Sequence, residues 1–103
     1  MVETAYKLNQ GNEKLVEKLI VHEKIQYTHM VFPGGEGLPE HRANAELYFT
    51  VLRGILSLRL ENQENHKYPV GSVVNVPYNT LMNVRNLDKE VLELVLIKSM
   101  PTK

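Results

Sequence analysis

The segment from Leu47 to Leu60 constrains the fold more than any other part of the chain. It consists of two short runs, LYFTVLRG (47–54) and ILSLRL (55–60), which both alternate in hydrophobicity and meet at Gly54. Successive side chains of a strand point to opposite faces, so these runs are expected to form strands with one apolar face each. The side chains predicted to share those faces are Leu47, Phe49 and Val51 in the first run, and Leu56, Leu58 and Leu60 in the second.

The rest of the chain has the same texture of short β-rich runs separated by turn residues. Further strands are predicted at 15–21, 25–32, 72–77 and 90–97, with turns at 22–24, 33–35, 61–66 and 78–81 and a hairpin at 87–89. The last strand has Leu92, Leu94 and Leu96 on one face. The run at 15–21 is also compatible with a helical turn. Many short strands at this turn density are typical of a sandwich or barrel, so we predict an all-β fold.

Composition excludes several classes of protein. A chain of 103 residues is the size of one domain. Lysine and arginine together number 12, as do aspartate and glutamate, which argues against a general nucleic-acid binder. There is no cysteine, hence no disulfide and no thiolate site. No apolar stretch approaches the length of a membrane span or resembles a signal sequence, so we expect a cytoplasmic protein without membrane or nucleic-acid partners. A domain this small often gains stability by pairing, and we expect a homodimer.

Two stretches carry the spacing of a known pair of motifs. In residues 35–54, Gly35 is followed after five residues by His41, and the stretch closes at Gly54. In residues 71–86, a glycine is followed after five residues by Pro77, and Asn86 closes the stretch. Sixteen residues, 55–70, separate the two. This spacing resembles the two motifs of the cupin superfamily and implies a single-domain cupin jelly-roll β-barrel over residues 1–103.

The resemblance also implies where a metal would bind in this family. Metal-dependent cupins use two histidines and a glutamate from the first motif and a histidine from the second. Here the corresponding residues are His41, Ala43, Leu47 and Met82, so one ligand of four is retained. Alanine and leucine offer no donor atom and methionine offers a soft, weak one. We therefore predict no bound metal and no cofactor.

An atypical metal site remains an alternative, built on His41 with His29, Glu46 or Met82. Alternation argues against Glu46, because it faces out if Leu47 faces in. His29 could face either way, since both alternating sets of the strand IQYTHMVF (25–32) are apolar enough for a core. A His41–Met82 pair would suit only a soft ion such as cuprous copper.

The resemblance places the ligand pocket inside the barrel, where the inward side chains of the two motifs would line it. A mostly apolar lining with a few polar groups is usual for a small-molecule site, but small barrels are also often filled by their own side chains. We predict a metal-free cupin that binds a small organic molecule, with His41 as its polar anchor; no catalytic residue is assigned. A purely structural or regulatory dimer with a filled barrel is the third hypothesis. The predicted pocket residues are His41, Asn44, Leu47, Phe49 and Met82.

Overall fold

A computed structural model describes residues 2–100, and these residues form nine strands and no helix. The strands are β1 (Leu15–Val21), β2 (Ile25–Phe32), β3 (His41–Arg42), β4 (Glu46–Arg53), β5 (Leu56–Leu60), β6 (His66–Tyr68), β7 (Val73–Val76), β8 (Leu81–Arg85) and β9 (Leu92–Ser99). The segment at 15–21 is therefore a strand and not a helical turn. This part of the chain also contains no helix with the length and hydropathy needed to cross a membrane.

The nine strands form two antiparallel sheets that face each other. One has five strands in the order β1-β2-β9-β4-β7, and the other has four in the order β3-β8-β5-β6. Strands that follow each other in the chain often lie in different sheets, as in a jelly roll. The predicted all-β jelly-roll fold is confirmed; the two sheets remain separate hydrogen-bonded ladders.

The core lies between the sheets and follows the predicted alternation. On β4, Leu47, Phe49 and Val51 are at most 1% exposed, while Tyr48 and Leu52 on the other face are 40% and 38% exposed. The same inward direction is found on β5, β8 and β9. The remaining buried members of the cluster are Met30, Phe32, Ala43, Ala45, Leu56, Leu58, Val76, Met82, Val84, Leu92, Leu94 and Leu96.

Gly54 carries the chain from one sheet to the other between β4 and β5. Its φ of 73° lies in the left-handed region that favours glycine, and a Cβ there would collide with the carbonyl oxygen of Val91. The predicted turn at this glycine is thus present, although the strands on either side do not pair with each other.

The predicted hairpin at residues 87–89 is wrong, because β8 and β9 belong to different sheets. Asn86 organises the crossover that replaces it. This asparagine is fully buried, and its Nδ2 donates to the carbonyl oxygens of Phe32 (2.9 Å) and Glu90 (2.7 Å). Its Oδ1 accepts from the backbone N–H of Asp88 at 3.0 Å. The last residue of the second motif is therefore a structural residue, which satisfies buried backbone groups where the chain changes sheets.

We predict that Leu47→Ala lowers the free energy of unfolding by about 2–5 kcal/mol, because it leaves a cavity among residues that cannot collapse fully. Leu52→Ala, on the same strand but on the outer face, is the matched control and should cost less than about 1 kcal/mol. Urea unfolding measures both values. Equal losses in the two variants would show that Leu47 is not a core residue.

Candidate functional site

His41 lies on the short strand β3, at one edge of the four-stranded sheet. It pairs with Met82 of β8 in an antiparallel register, so the two side chains share a face. Met82 is buried, whereas His41 is exposed. His41 Nδ1 donates to the carbonyl oxygen of Pro39 at 2.8 Å, so in the neutral ring Nε2 is the acceptor. We call the region around His41 and Met82 the mouth.

The other three positions at which metal-dependent cupins carry ligands are packed into the core. Ala43, Leu47 and Met82 are 2%, 0% and 2% exposed. Their side chains pack within the apolar cluster and provide at most a thioether sulfur as a donor. Among residues 2–100 no three histidine, cysteine, aspartate or glutamate side chains cluster closely enough to hold a metal ion. The donor set does not fit a divalent first-row ion.

Two of the three residues weighed for an atypical metal site, Glu46 and His29, do not share a face with His41. Glu46 lies on the outer face of β4, where Oε2 accepts from Asn75 Nδ2 (2.9 Å) and Oε1 from the N–H of Tyr78 (3.2 Å). His29 lies opposite Val95 on the outer face of the five-stranded sheet and is completely buried there. Of the three candidate partners, only Met82 shares a face with His41.

The structure does not gather the five predicted pocket residues around one cavity. His41 and Asn44 are exposed, whereas Leu47, Phe49 and Met82 belong to the closed core. The three apolar residues are therefore part of the packed core.

Lys98 is a mouth residue that the sequence analysis missed. It lies directly opposite Leu47, so its stem shares the inner face, and its Nζ donates to Asn44 Oδ1 at 3.2 Å. Burial lowers the pKa of Lys98 below its ordinary value, and the charge of Lys18 lowers it further. The alternation of β9 could have predicted this position, because Lys98 follows the inward residues Leu92, Leu94 and Leu96 by one more step of two residues.

A second polar cluster lies on the outer face of the five-stranded sheet. His29 Nε2 donates to Glu93 Oε2 at 2.6 Å, and Arg53 Nε donates to Glu93 Oε1 at 2.7 Å. The Glu93 side chain is only 14% exposed. His29 is buried as well, and its Nδ1 has no partner among the described residues. The cluster is thus a partly desolvated ion pair between Arg53 and Glu93, with the buried imidazole of His29 bonded to the same carboxylate.

Arg53 extends this cluster to the segment that precedes β1. Its Nη1 donates to Asn12 Oδ1 at 2.8 Å and its Nη2 to the carbonyl oxygen of Gly11 at 2.7 Å. The segment at Gly11 and Asn12 therefore lies against Arg53 at the outer face of the sheet. A cavity of about 370 Å³ remains beside it, lined by Leu8, Gln10, Gly11, Asn12, Arg53 and Glu93.

Burial by itself would raise the pKa of the Glu93 carboxyl, but the hydrogen bonds from His29 and Arg53 and the charge of Arg53 outweigh it. The pKa of Glu93 is therefore lowered from its ordinary value of 4.5. A carboxyl with a lower pKa in the folded state stabilises the fold above its unfolded pKa. That contribution is lost as the pH falls through the folded pKa.

We predict that Glu93→Gln costs about 1–3 kcal/mol at pH 7, since hydrogen bonds to charged groups contribute on that scale. The wild-type protein should lose stability as the pH falls from about 5 towards 3, and the variant should lose less over that range. Urea unfolding at several pH values measures both effects. Glu36→Gln is the control, because Glu36 forms an exposed ion pair with Lys14. Parallel pH profiles for the wild type and Glu93→Gln would contradict the assignment.

Comparison with known proteins agrees with this architecture, although no family model matches the chain. An uncharacterised protein of Methanocaldococcus jannaschii is 36% identical over 100 residues, which cover 96% of this chain and 86% of that protein. The crystal structure of that same protein is the structure of an RmlC-like cupin family protein with a double-stranded β-helix fold. It superposes with a TM-score of 0.93, covering 97% of this chain and 93% of the other.

More distant structures share the fold alone. A cupin superfamily protein from Desulfitobacterium hafniense is 17% identical, with a TM-score of 0.78 over 92% of this chain and 84% of the other. A cupin domain from Bordetella pertussis is 16% identical, with a TM-score of 0.71 over 90% and 99%. Together with the 36% identity over nearly the whole chain, the two motifs and the jelly-roll topology show that this chain belongs to the cupin family.

Proposed function

We propose that this protein is a metal-independent cupin that binds a small amphipathic molecule at the mouth, with His41 as the polar anchor. The observation that carries the proposal is the replacement of three metal-ligand positions by the buried side chains of Ala43, Leu47 and Met82. Those side chains remove the donors for an ion and provide an apolar floor in their place.

The polar groups at the rim define what such a molecule would present. His41 Nε2 accepts a hydrogen bond in the neutral ring, since Nδ1 is committed to Pro39. Lys98 provides a cation on the same inner face, held by Asn44. A ligand with an apolar body would lie against Met82 and direct a hydroxyl or acidic group towards these two side chains.

The proposal depends on the assignment of Ala43, Leu47 and Met82 to the family's metal-ligand positions. Restoring ligands at these three positions tests that assignment. We predict that Ala43→His with Leu47→Glu and Met82→His creates a divalent-metal site together with His41. Without metal the variant should be less stable than the wild type, because each buried polar group without a partner costs about 1–3 kcal/mol. Nickel or zinc should then raise its melting temperature, since a ligand that binds only the folded state stabilises it.

The control shifts each change by one residue to Asn44→His with Tyr48→Glu and Asn83→His, away from the inner face. This control and the wild type should bind well below one equivalent of metal when purified without an affinity tag. If the triple variant does not fold, the double variant Ala43→His with Met82→His is tested instead. A folded variant that binds no more metal than the wild type would show that these residues do not occupy the metal-ligand positions.

A structural or regulatory homodimer with a filled barrel is a second candidate function. The complete burial of Leu47 and Phe49 favours it, because a ligand at the centre would have to displace packed side chains. The exposed outer face of the five-stranded sheet supports it as well. Tyr48, Leu52 and Val73 lie there and are 40%, 38% and 66% exposed, more apolar surface than a solvated strand face requires.

The two candidates differ in the response to small molecules. We predict that members of a library of small amphipathic fragments shift the backbone amide resonances of His41, Met82 and Lys98. His41→Ala should weaken the binding that these shifts report at least about tenfold, because it removes the hydrogen-bond acceptor. His66→Ala, at an exposed histidine on β6, is the matched control and should leave the shifts unchanged. A stable dimer by sedimentation in which no fragment shifts the mouth resonances would support the second candidate.

A further inference from the structure

The outer face of the four-stranded sheet carries a patch of polar side chains that the mouth does not use. On β5 and β8 the inward residues are apolar, so the alternate residues point outwards. Arg59 lies opposite Asn83, and Ser57 lies opposite Arg85. These four side chains therefore occupy adjacent positions on one surface, with the two guanidinium groups on a diagonal.

A cleft of about 250 Å³ opens in this patch, lined by Arg59, Asn65, Asn83, Arg85 and Leu87. Both arginines are held in place by contacts on one side. Arg59 Nη2 donates to Glu40 Oε2 at 2.8 Å, and Arg85 Nη2 donates to the carbonyl oxygen of Gly35 at 2.7 Å. Each guanidinium carries five N–H donors, so both retain donors for a further acceptor.

The approach of the loop at Gly37 fixes Arg85 further. Gly37 forms a β-bridge with Arg85, and a Cβ at Gly37 would lie 2.9 Å from Arg85 Cδ and would collide with the carbonyl oxygen of Val84. The loop therefore packs against the arginine stem only because this residue is glycine. The guanidinium is oriented before any ligand arrives, which reduces the entropy cost of binding.

The patch holds an excess of positive charge within the part of the chain that the structure describes. Arg59 pairs with Glu40, and the neighbouring Lys67 pairs with Asp88 at 3.2 Å. Arg85 donates instead to a neutral carbonyl oxygen. Of these three cations, Arg85 is the one that forms no ion pair with a carboxylate among residues 2–100. Diagonal neighbours on a sheet, such as Arg59 and Arg85, lie only about 7–8 Å apart.

Two buried polar atoms on the same surface also have no partner among residues 2–100. They are Asn83 Oδ1 and Ser57 Oγ, and Ser57 is fully buried although it is on the outer face of the sheet. A buried polar atom left without a hydrogen bond costs about 1–3 kcal/mol.

We propose that this cleft binds the phosphate or carboxylate group of a small hydroxylated molecule. Two guanidinium groups that converge on one cleft suit an oxyanion, because their planar forks donate paired hydrogen bonds to its oxygens. The Asn65 and Asn83 amides supply the neutral donors and acceptors that recognise hydroxyl groups. The site goes beyond the proposed function, since it lies on the opposite face of the sheet from Met82 and can exist whether or not the mouth binds a ligand.

The test uses inorganic phosphate and acetate as separate probes, titrated into ¹⁵N-labelled wild-type protein at constant ionic strength adjusted with sodium chloride. We predict saturable shifts of the amide resonances of Arg59, Asn83 and Arg85 with at least one of the two probes. Arg85→Gln should raise the dissociation constant at least about tenfold, because it removes a charged pair of donors. Response to phosphate alone or to acetate alone identifies the oxyanion that the cleft prefers, and either supports the site.

Two further variants separate a built site from general surface charge. Lys24→Gln removes the same charge from the turn between β1 and β2 in the other sheet, and should leave the dissociation constant unchanged. Asn83→Asp keeps the shape of the side chain and adds a negative charge to the cleft, so it should abolish the shifts even if Arg85→Gln does not fold. The proposal is overturned if the shifts do not saturate with either probe, or if Arg85→Gln and Asn83→Asp bind like the wild type.

Discussion

The fold depends on the contact between the inner faces of the two sheets. Strands β2, β4, β5, β8 and β9 contribute alternate apolar side chains to this contact, and Leu47, Phe49 and Met82 are fully packed within it. Burying a side chain of this size contributes about 1.5–3 kcal/mol, so the cluster accounts for most of the driving force for folding. The crossovers at Gly54 and Asn86 keep the sheets in position for this contact. The same strands carry the positions at which metal-dependent cupins hold their ligands, and here Ala43, Leu47 and Met82 at those positions belong to the packed core.

Much of the fold could be predicted because alternation is a local signal. The inward faces of β4, β5 and β9 were read directly from the sequence, and the spacing of the two motifs indicated the jelly roll. The strand β8 was missed, because LMNVR (81–85) contains asparagine and arginine on one side and follows the turn residues Asn79 and Thr80. Its regular structure comes from pairing with β3 and β5, which a single run of residues does not reveal.

The candidate sites were less predictable, because burial on the outer faces depends on distant segments. The direction of His29 could not be decided from IQYTHMVF, since β2 is covered on both sides. One side faces the core, and the other carries His29, which is fully buried and bonded to Glu93. Lys98 was missed because the strand predicted at 90–97 ended one residue before it, although the same alternation places Lys98 on the inner face.

The strand β8 shows how one alternating segment can serve two surfaces. Its inward residues Met82 and Val84 close the core below the mouth, and its outward residues Asn83 and Arg85 form part of the basic cleft. Apolar substitutions at the inward positions where metal-dependent cupins carry ligands therefore need not change the outward residues of the same strand. The reverse also holds, since charge on the outer face does not disturb the packing beneath it. Period-two alternation thus lets the inner face of this cupin specialise in stability while its outer face remains available for recognition.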